Sequence, residues 1–144
     1  TASKSYLLVF IQFSCIIFYA YSSNDLLSSL PLTFLAVVGL GIGVWAVWTM
    51  NPFRVSIFPE PKAAGVLVQS GPYKWIRHPM YTAILIIGLA TALAMKTSLG
   101  WAVYVLLCIN QLIKLQFEEK LLMGKYMNYS QYMNKTKRII PFLY

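Results

Sequence analysis

Negative charge is almost missing from this chain. Its 144 residues include four Asp and Glu against twelve Lys and Arg, and charged residues of both signs make up only 11%. A water-soluble domain carries about a quarter of its residues charged, so the shortage excludes a soluble globule. Histidine is down to one residue and cysteine to two. Cys15 and Cys108 fall in apolar segments without metal-ligand spacing or a partner histidine, so both act as small hydrophobes and no metal centre is expected. The first apolar segment lacks a small-residue cleavage site and is taken as a membrane span.

What is abundant is apolar. Hydrophobic residues make up 58% of the chain and aromatic ones 15%, with a mean hydropathy of +0.62. Four apolar segments stand out, at about Tyr6–Tyr21, Leu30–Met50, Met80–Met95 and Ser98–Leu115. A perpendicular crossing takes roughly 20 residues, with a range of about 17 to 25. The second segment fits, the fourth is adequate, and the first and third are short, relying on interfacial residues or a locally thinner bilayer. The expected fold is all-α: an integral membrane helical bundle of about four transmembrane helices with a cytoplasmic connector and a C-terminal helix. It forms a single membrane domain over residues 1–144, with two N-terminal spans in residues 1–50 and a polar-ended core in residues 51–144.

The net charge of +8 is carried by cations scattered through loops and the tail, which suits lipid headgroups and not nucleic acid. With the N-terminus inside, Lys4, the connector cations Arg54, Lys62, Lys74 and Arg77, and the six from Lys114 to Arg138 share the cytoplasmic side, leaving Lys96 outside. The protein is therefore expected to be multi-pass, with both termini and its polar loops in the cytoplasm. In the second span Gly39, Gly41 and Gly43 permit close helix approach; no strand precedes them, so packing is preferred to a cofactor loop.

The stretch Gly65–Tyr81, GVLVQSGPYKWIRHPMY, concentrates two glycines, two prolines, Lys74, Arg77 and the only histidine between two apolar segments. Ser70-Gly71-Pro72 is turn material. Arg77-His78-Pro79 predicts a helix entrance, because proline is tolerated in a first turn. The free N–H groups and dipole of such an end suit an anionic group. The same residues, with Tyr73, Trp75 and Tyr81, also suit a membrane-interface anchor.

Glu118 and Glu119 are half of the acidic residues and lie where the fourth helix leaves the membrane. Carboxylates near lipid need a partner, a ligand or water. The short link Lys96-Thr97-Ser98 makes the third and fourth helices an antiparallel hairpin, which places Glu118 near the level of His78. Lys114, one turn earlier, shares a face with Glu118. A cavity built from these groups would suit a polar, mixed-charge molecule bearing a ring.

The motif GxYxxxRHPxY over Gly71–Tyr81, followed by Glu118-Glu119-Lys120-Leu121-Leu122, Tyr129, Tyr132 and Ile140-Pro141-Phe142, resembles the core of the isoprenylcysteine carboxyl methyltransferase and phospholipid methyltransferase superfamily. The resemblance covers roughly Gly65 to Phe142 and implies a membrane-embedded methyltransferase using S-adenosyl-L-methionine. It implies cofactor contacts from Gly65, Val66, Leu67, Val68, Tyr73, His78, Pro79, Met80, Tyr81 and Glu118. Of two departures, the first bears on the substrate and the second on a cofactor contact. Lys114 stands where the isoprenylcysteine enzymes have an arginine, losing its planar fork, and Gly65 stands where they have a histidine.

The acceptor is left open between an isoprenylcysteine-like carboxylate, a lipid, a thiol and an amine. Lys114 and Arg77 are the candidate clamps for a carboxylate; Glu119 or His78 would deprotonate a thiol or amine. Partners are membrane lipid and a lipophilic or small-molecule acceptor, with no obligate protein partner. A sterol-reductase-like enzyme using NADPH, or a non-catalytic helical membrane protein, would account for parts of the same pattern.

Overall fold

The computed structural model describes residues 2–52, 54–60 and 66–144. The order is α1 (Ala2–Ser22), α2 (Leu30–Met50), a 3-10 turn over Gly71–Lys74, α3 (Pro79–Met95), α4 (Ser98–Lys125) and α5 (Tyr129–Lys135). No strand occurs among the described residues, so the all-α expectation holds. Among the described residues three helices, α1, α2 and α4, are long and apolar enough to cross a membrane. The expected third span, α3, is a shorter apolar helix of 17 residues, about 25 Å long at a helical rise.

Local chemistry sets these limits. The α1–α2 link turns at Ser23 and Asp25, whose carbonyls accept from Leu26 and Ser28 N–H. Ser29 stands at the N-cap position of α2, and Pro31 follows in its first turn. At the far end of α3, Lys96 takes a left-handed conformation, and Thr97 then caps α4 by accepting from Gly100 N–H at 3.1 Å. That tight reversal makes α3 and α4 the expected hairpin. α4 has 28 residues, about 42 Å of helix, so its last turns carry Glu118 and Glu119 beyond a bilayer core of about 30 Å.

α3 is the centre of the bundle, packed against α1, α2 and α4. Gly39 and Gly43 of α2 face it: a Cβ on Gly39 would lie 2.9 Å from Ile87, and one on Gly43 3.2 Å from Ala83. Gly41 faces open space, so two of the three glycines serve packing. On the other side Cys15 and Tyr19 of α1 meet Ala92 and Leu107 in a buried cluster, and the Tyr19 hydroxyl donates to the Gly100 carbonyl at 3.0 Å. Large apolar side chains on the outer surface, including Phe10, Phe34, Leu40, Val44, Trp48 and Val105, are exposed. In a bilayer they face lipid, where helices are the backbone form that satisfies its own polar groups.

The C-terminal segment returns to the core. Arg77 and His78 N–H donate to the Lys137 and Arg138 carbonyls at 2.8 and 3.0 Å, and Lys137 N–H donates to the Trp75 carbonyl at 3.0 Å. The Thr82 hydroxyl reaches the Ile139 carbonyl at 2.8 Å. The entrance of α3 is thereby bound to the tail through backbone and side chain.

Candidate functional site

The site forms where α3 begins, because three chain segments meet there. Pro79 occupies the first helical turn and supplies no N–H, while the His78 carbonyl accepts from Tyr81 and Thr82 N–H, each at 3.1 Å. Just upstream, Gly71 has φ +55°, and a Cβ there would lie 2.6 Å from the Thr49 hydroxyl oxygen. Only glycine supplies both that conformation and that close approach. The turn sets Tyr73 inward, 4% exposed.

His78 lies between the two glutamates. Its Nε2 is 3.2 Å from Glu119 Oε1, its Nδ1 is 3.7 Å from Glu118 Oε2, and its ring stacks on Tyr81 at 5.3 Å between centroids. The Tyr81 hydroxyl donates to Glu118 Oε2 at 2.6 Å. Glu118 remains 28% exposed on its side chain, whereas Glu119 is sealed. Arg77 Nε donates to Glu119 Oε1 at 2.7 Å, and Arg138 Nε donates to Oε2 at 3.2 Å. A second Arg77 nitrogen donates to the Met133 and Thr136 carbonyls at 3.1 and 2.6 Å.

Around Glu118 opens a cavity. Val66, Leu67, Val68, Tyr73, His78, Pro79, Met80, Tyr81 and Glu118 all line it. These are the expected cofactor residues apart from Gly65, which lies outside the described residues. Arg77 also lines the cavity, although its guanidinium is bound to Glu119 and the tail. Lys114 and Glu119 stand outside the lining. Lys114 is 2% exposed, and its ammonium donates to Gln12 Oε1 on α1 at 2.8 Å and lies 5.3 Å from the Tyr81 ring centroid. Lys114 therefore reaches towards α1, while Glu118 one turn later lines the cavity. Nearby, Asn110 donates to the Leu8 carbonyl at 3.1 Å, giving α1 and α4 a polar seam inside the bundle.

Two walls of the cavity were not anticipated. The connector contributes Arg54, Ser56, Phe58 and Glu60, with Glu60 also accepting from the Ser5 hydroxyl of α1. No motif marks these residues; only their position between two prolines and the next turn suggests a chain folding back. The tail contributes Tyr126, Tyr129 and Tyr132; their three-residue spacing in the sequence favours interface packing over a ligand contact. Burial raises the phenols of Tyr73, Tyr129 and Tyr132 above their ordinary range, so they stay protonated donors. The Tyr132 hydroxyl donates to the Tyr73 carbonyl at 2.7 Å, while the buried Tyr129 hydroxyl has no partner among the described residues.

Chemically, this enclosure pairs a part-exposed carboxylate, neutral phenols and the Met80 N–H of the first turn with an apolar wall from Val66 to Val68. No curated protein sequence matches the chain. A sequence profile described as phospholipid methyltransferase matches residues 29–129, from the start of α2 to the first residue of α5. The match takes in the entrance of α3, both glutamates and all of the cavity lining but Tyr132, and on that footing the chain belongs to the phospholipid methyltransferase family.

Proposed function

We propose that the cavity binds S-adenosyl-L-methionine and that the protein transfers its methyl group to the amine of a phospholipid headgroup at the cytoplasmic face of the membrane. The observation that carries this reading is the convergence of Glu118 on residues 66–68 and 78–81 around one cavity. A zwitterionic amino acid joined to a nucleoside fits that donor set, and the buried, unpartnered Tyr129 hydroxyl marks room for a ligand atom. Glu118 accepts from the cofactor ammonium or hydroxyls, the first turn of α3 receives its carboxylate, and the segment Val66–Val68 with Tyr73 holds the nucleoside.

When bound, the sulfonium offers an electrophilic methyl: the acceptor lone pair forms the new bond to carbon, and the carbon–sulfur electron pair leaves as the neutral thioether of S-adenosylhomocysteine. The protein supplies position and exclusion of water. An ammonium acceptor must shed a proton before attack. Glu119 has no oxygen free for it, since both accept from arginines; Glu60, on the connector wall, is the carboxylate we assign to receive it. Lys114 and Arg77 are engaged elsewhere, which favours an amine over a carboxylate acceptor. Glu60 and Arg54 together suit the two charges of an aminophospholipid, ammonium and phosphate.

We place both termini and the cavity in the cytoplasm, where all the cations but Lys96 then lie. The chain is one membrane domain, with residues 1–50 supporting a cofactor-binding core in residues 51–144. The test uses purified protein in phosphatidylethanolamine vesicles, with S-adenosylmethionine bearing a deuterated methyl group. Lipid mass spectrometry should find the label on headgroup nitrogen, and none with Glu118→Ala. Label appearing only on a prenylcysteine carboxylate or a thiol supplied in parallel would overturn the amine assignment.

A further inference from the structure

We propose that Tyr129 is a ligand-binding residue of this cavity, donating its phenolic hydrogen bond to the carboxylate on the amino-acid end of S-adenosylmethionine. The inference rests on the cofactor reading above and adds a contact from the tail, which neither the α3 entrance nor the glutamate pair supplies.

Tyr129 lines the cavity and is 1% exposed. Its neighbours have settled their hydroxyls: Tyr81 donates to Glu118, Tyr132 to the Tyr73 carbonyl, and Tyr73 lies 3.8 Å from the Met50 sulfur. The Tyr129 hydroxyl alone among them is buried without a partner among the described residues. A buried donor left unmade is unfavourable, and an acceptor atom brought by a ligand removes that penalty. The ring does not need to swing to meet it. Tyr129 N–H donates to the Tyr126 carbonyl at 3.1 Å, its ring meets Tyr132 edge-on at 5.8 Å, and the segment that follows is bound by Arg77 at the Met133 and Thr136 carbonyls.

The surroundings select the end of the ligand. Tyr129 lines the same cavity as Glu118 and Arg77, and the helix that carries it also carries the Met133 carbonyl that accepts from Arg77, so the phenol belongs to the charged end of the lining. Burial keeps it protonated, so its O–H is available as a donor. An amino acid carries ammonium and carboxylate on one carbon. With the ammonium on Glu118, the carboxylate falls to the remaining donors: the Met80 N–H in the first turn of α3, which lacks an intrahelical acceptor, and the Tyr129 hydroxyl.

Calorimetric titration of Tyr129→Phe tests this with two probes: S-adenosylhomocysteine, and methylthioadenosine, which keeps the nucleoside and lacks the amino acid. We expect about tenfold weaker binding of the first and unchanged binding of the second. We also expect the unliganded variant to melt at or above the wild-type temperature, because it loses an unpaired buried hydroxyl. Tyr132→Phe, which loses a made hydrogen bond, should melt lower. Wild-type affinity for S-adenosylhomocysteine in Tyr129→Phe, equal weakening of both probes, or a lower melting temperature would each overturn the proposal. Folded wild-type protein that binds neither probe would instead overturn the cofactor reading on which it depends.

Discussion

Glu118 and Glu119 follow one another at the end of α4, and a helix turns about 100° between consecutive residues, so their carboxylates serve different regions. Glu118 looks into the cavity, where Tyr81 is its one partner within hydrogen-bond distance among the described residues and over a quarter of its side chain is open. Glu119 looks towards the tail, where Arg77, Arg138 and His78 surround it. The residue type is the same; the number of donors already committed decides the role. A carboxylate with spare acceptor capacity beside a cavity can bind, whereas one saturated by arginines holds the chain together. The tail region is the frame and the cavity region is what the frame shapes.

The largest effect should come from breaking the frame. Glu119→Ala leaves two arginines without their buried partner, a loss of about 3 to 5 kcal/mol for a pair of this burial. Thermal unfolding in detergent should show a markedly lower midpoint, with S-adenosylhomocysteine binding lost as well. An unchanged midpoint would mean that the tail is held by its backbone pairing alone. Glu118→Gln sharpens the contrast from the other side: the midpoint should stay near wild type while S-adenosylhomocysteine binding weakens by roughly tenfold to a hundredfold, the range for a hydrogen bond to a charged group. Equal changes in stability for the two variants would erase the distinction.

Glycines extend the same comparison from the site to the membrane. Gly71→Ala forces a left-handed conformation that is unfavourable by about 1 to 2 kcal/mol for an L-residue, against Thr49 at 2.6 Å. Its melting midpoint should fall, and Thr49→Ala in the same chain should restore part of the difference. Gly41→Ala, whose Cβ meets nothing within 4 Å, should leave the midpoint within experimental scatter. A comparable loss at Gly41 would place an unrecognised helix against that face of α2.

The elements were legible because their signals are local. Pro79 and the run that follows announced α3, and the bounds of Leu30–Met50 agree with the sequence pattern residue for residue. The meeting of Glu118 with His78 was also legible, since a three-residue link leaves the hairpin little freedom. The tail docking was not: Trp75–His78 and Lys137–Arg138 join through backbone N–H and C=O groups, which every residue carries. Arg77 and Glu119 therefore looked like reactive groups when they are tied to each other. Lys114 was misleading for a related reason. Its spacing from Glu118 predicts a shared face, but its partner is Gln12, 102 positions away, and no short-range pattern reports such a contact. The connector wall carries no repeat or motif by which Arg54 and Glu60 could have been assigned to the cavity.

The central claim is that the open carboxylate marks an S-adenosyl site. It is tested most directly by calorimetric titration of detergent-purified wild type and Glu118→Ala with S-adenosylhomocysteine, with NADPH titrated in parallel. Saturable binding of S-adenosylhomocysteine to wild type, its loss in the variant, and no binding of NADPH is the predicted result. Binding of NADPH alone, or of neither molecule by folded wild-type protein, would contradict it.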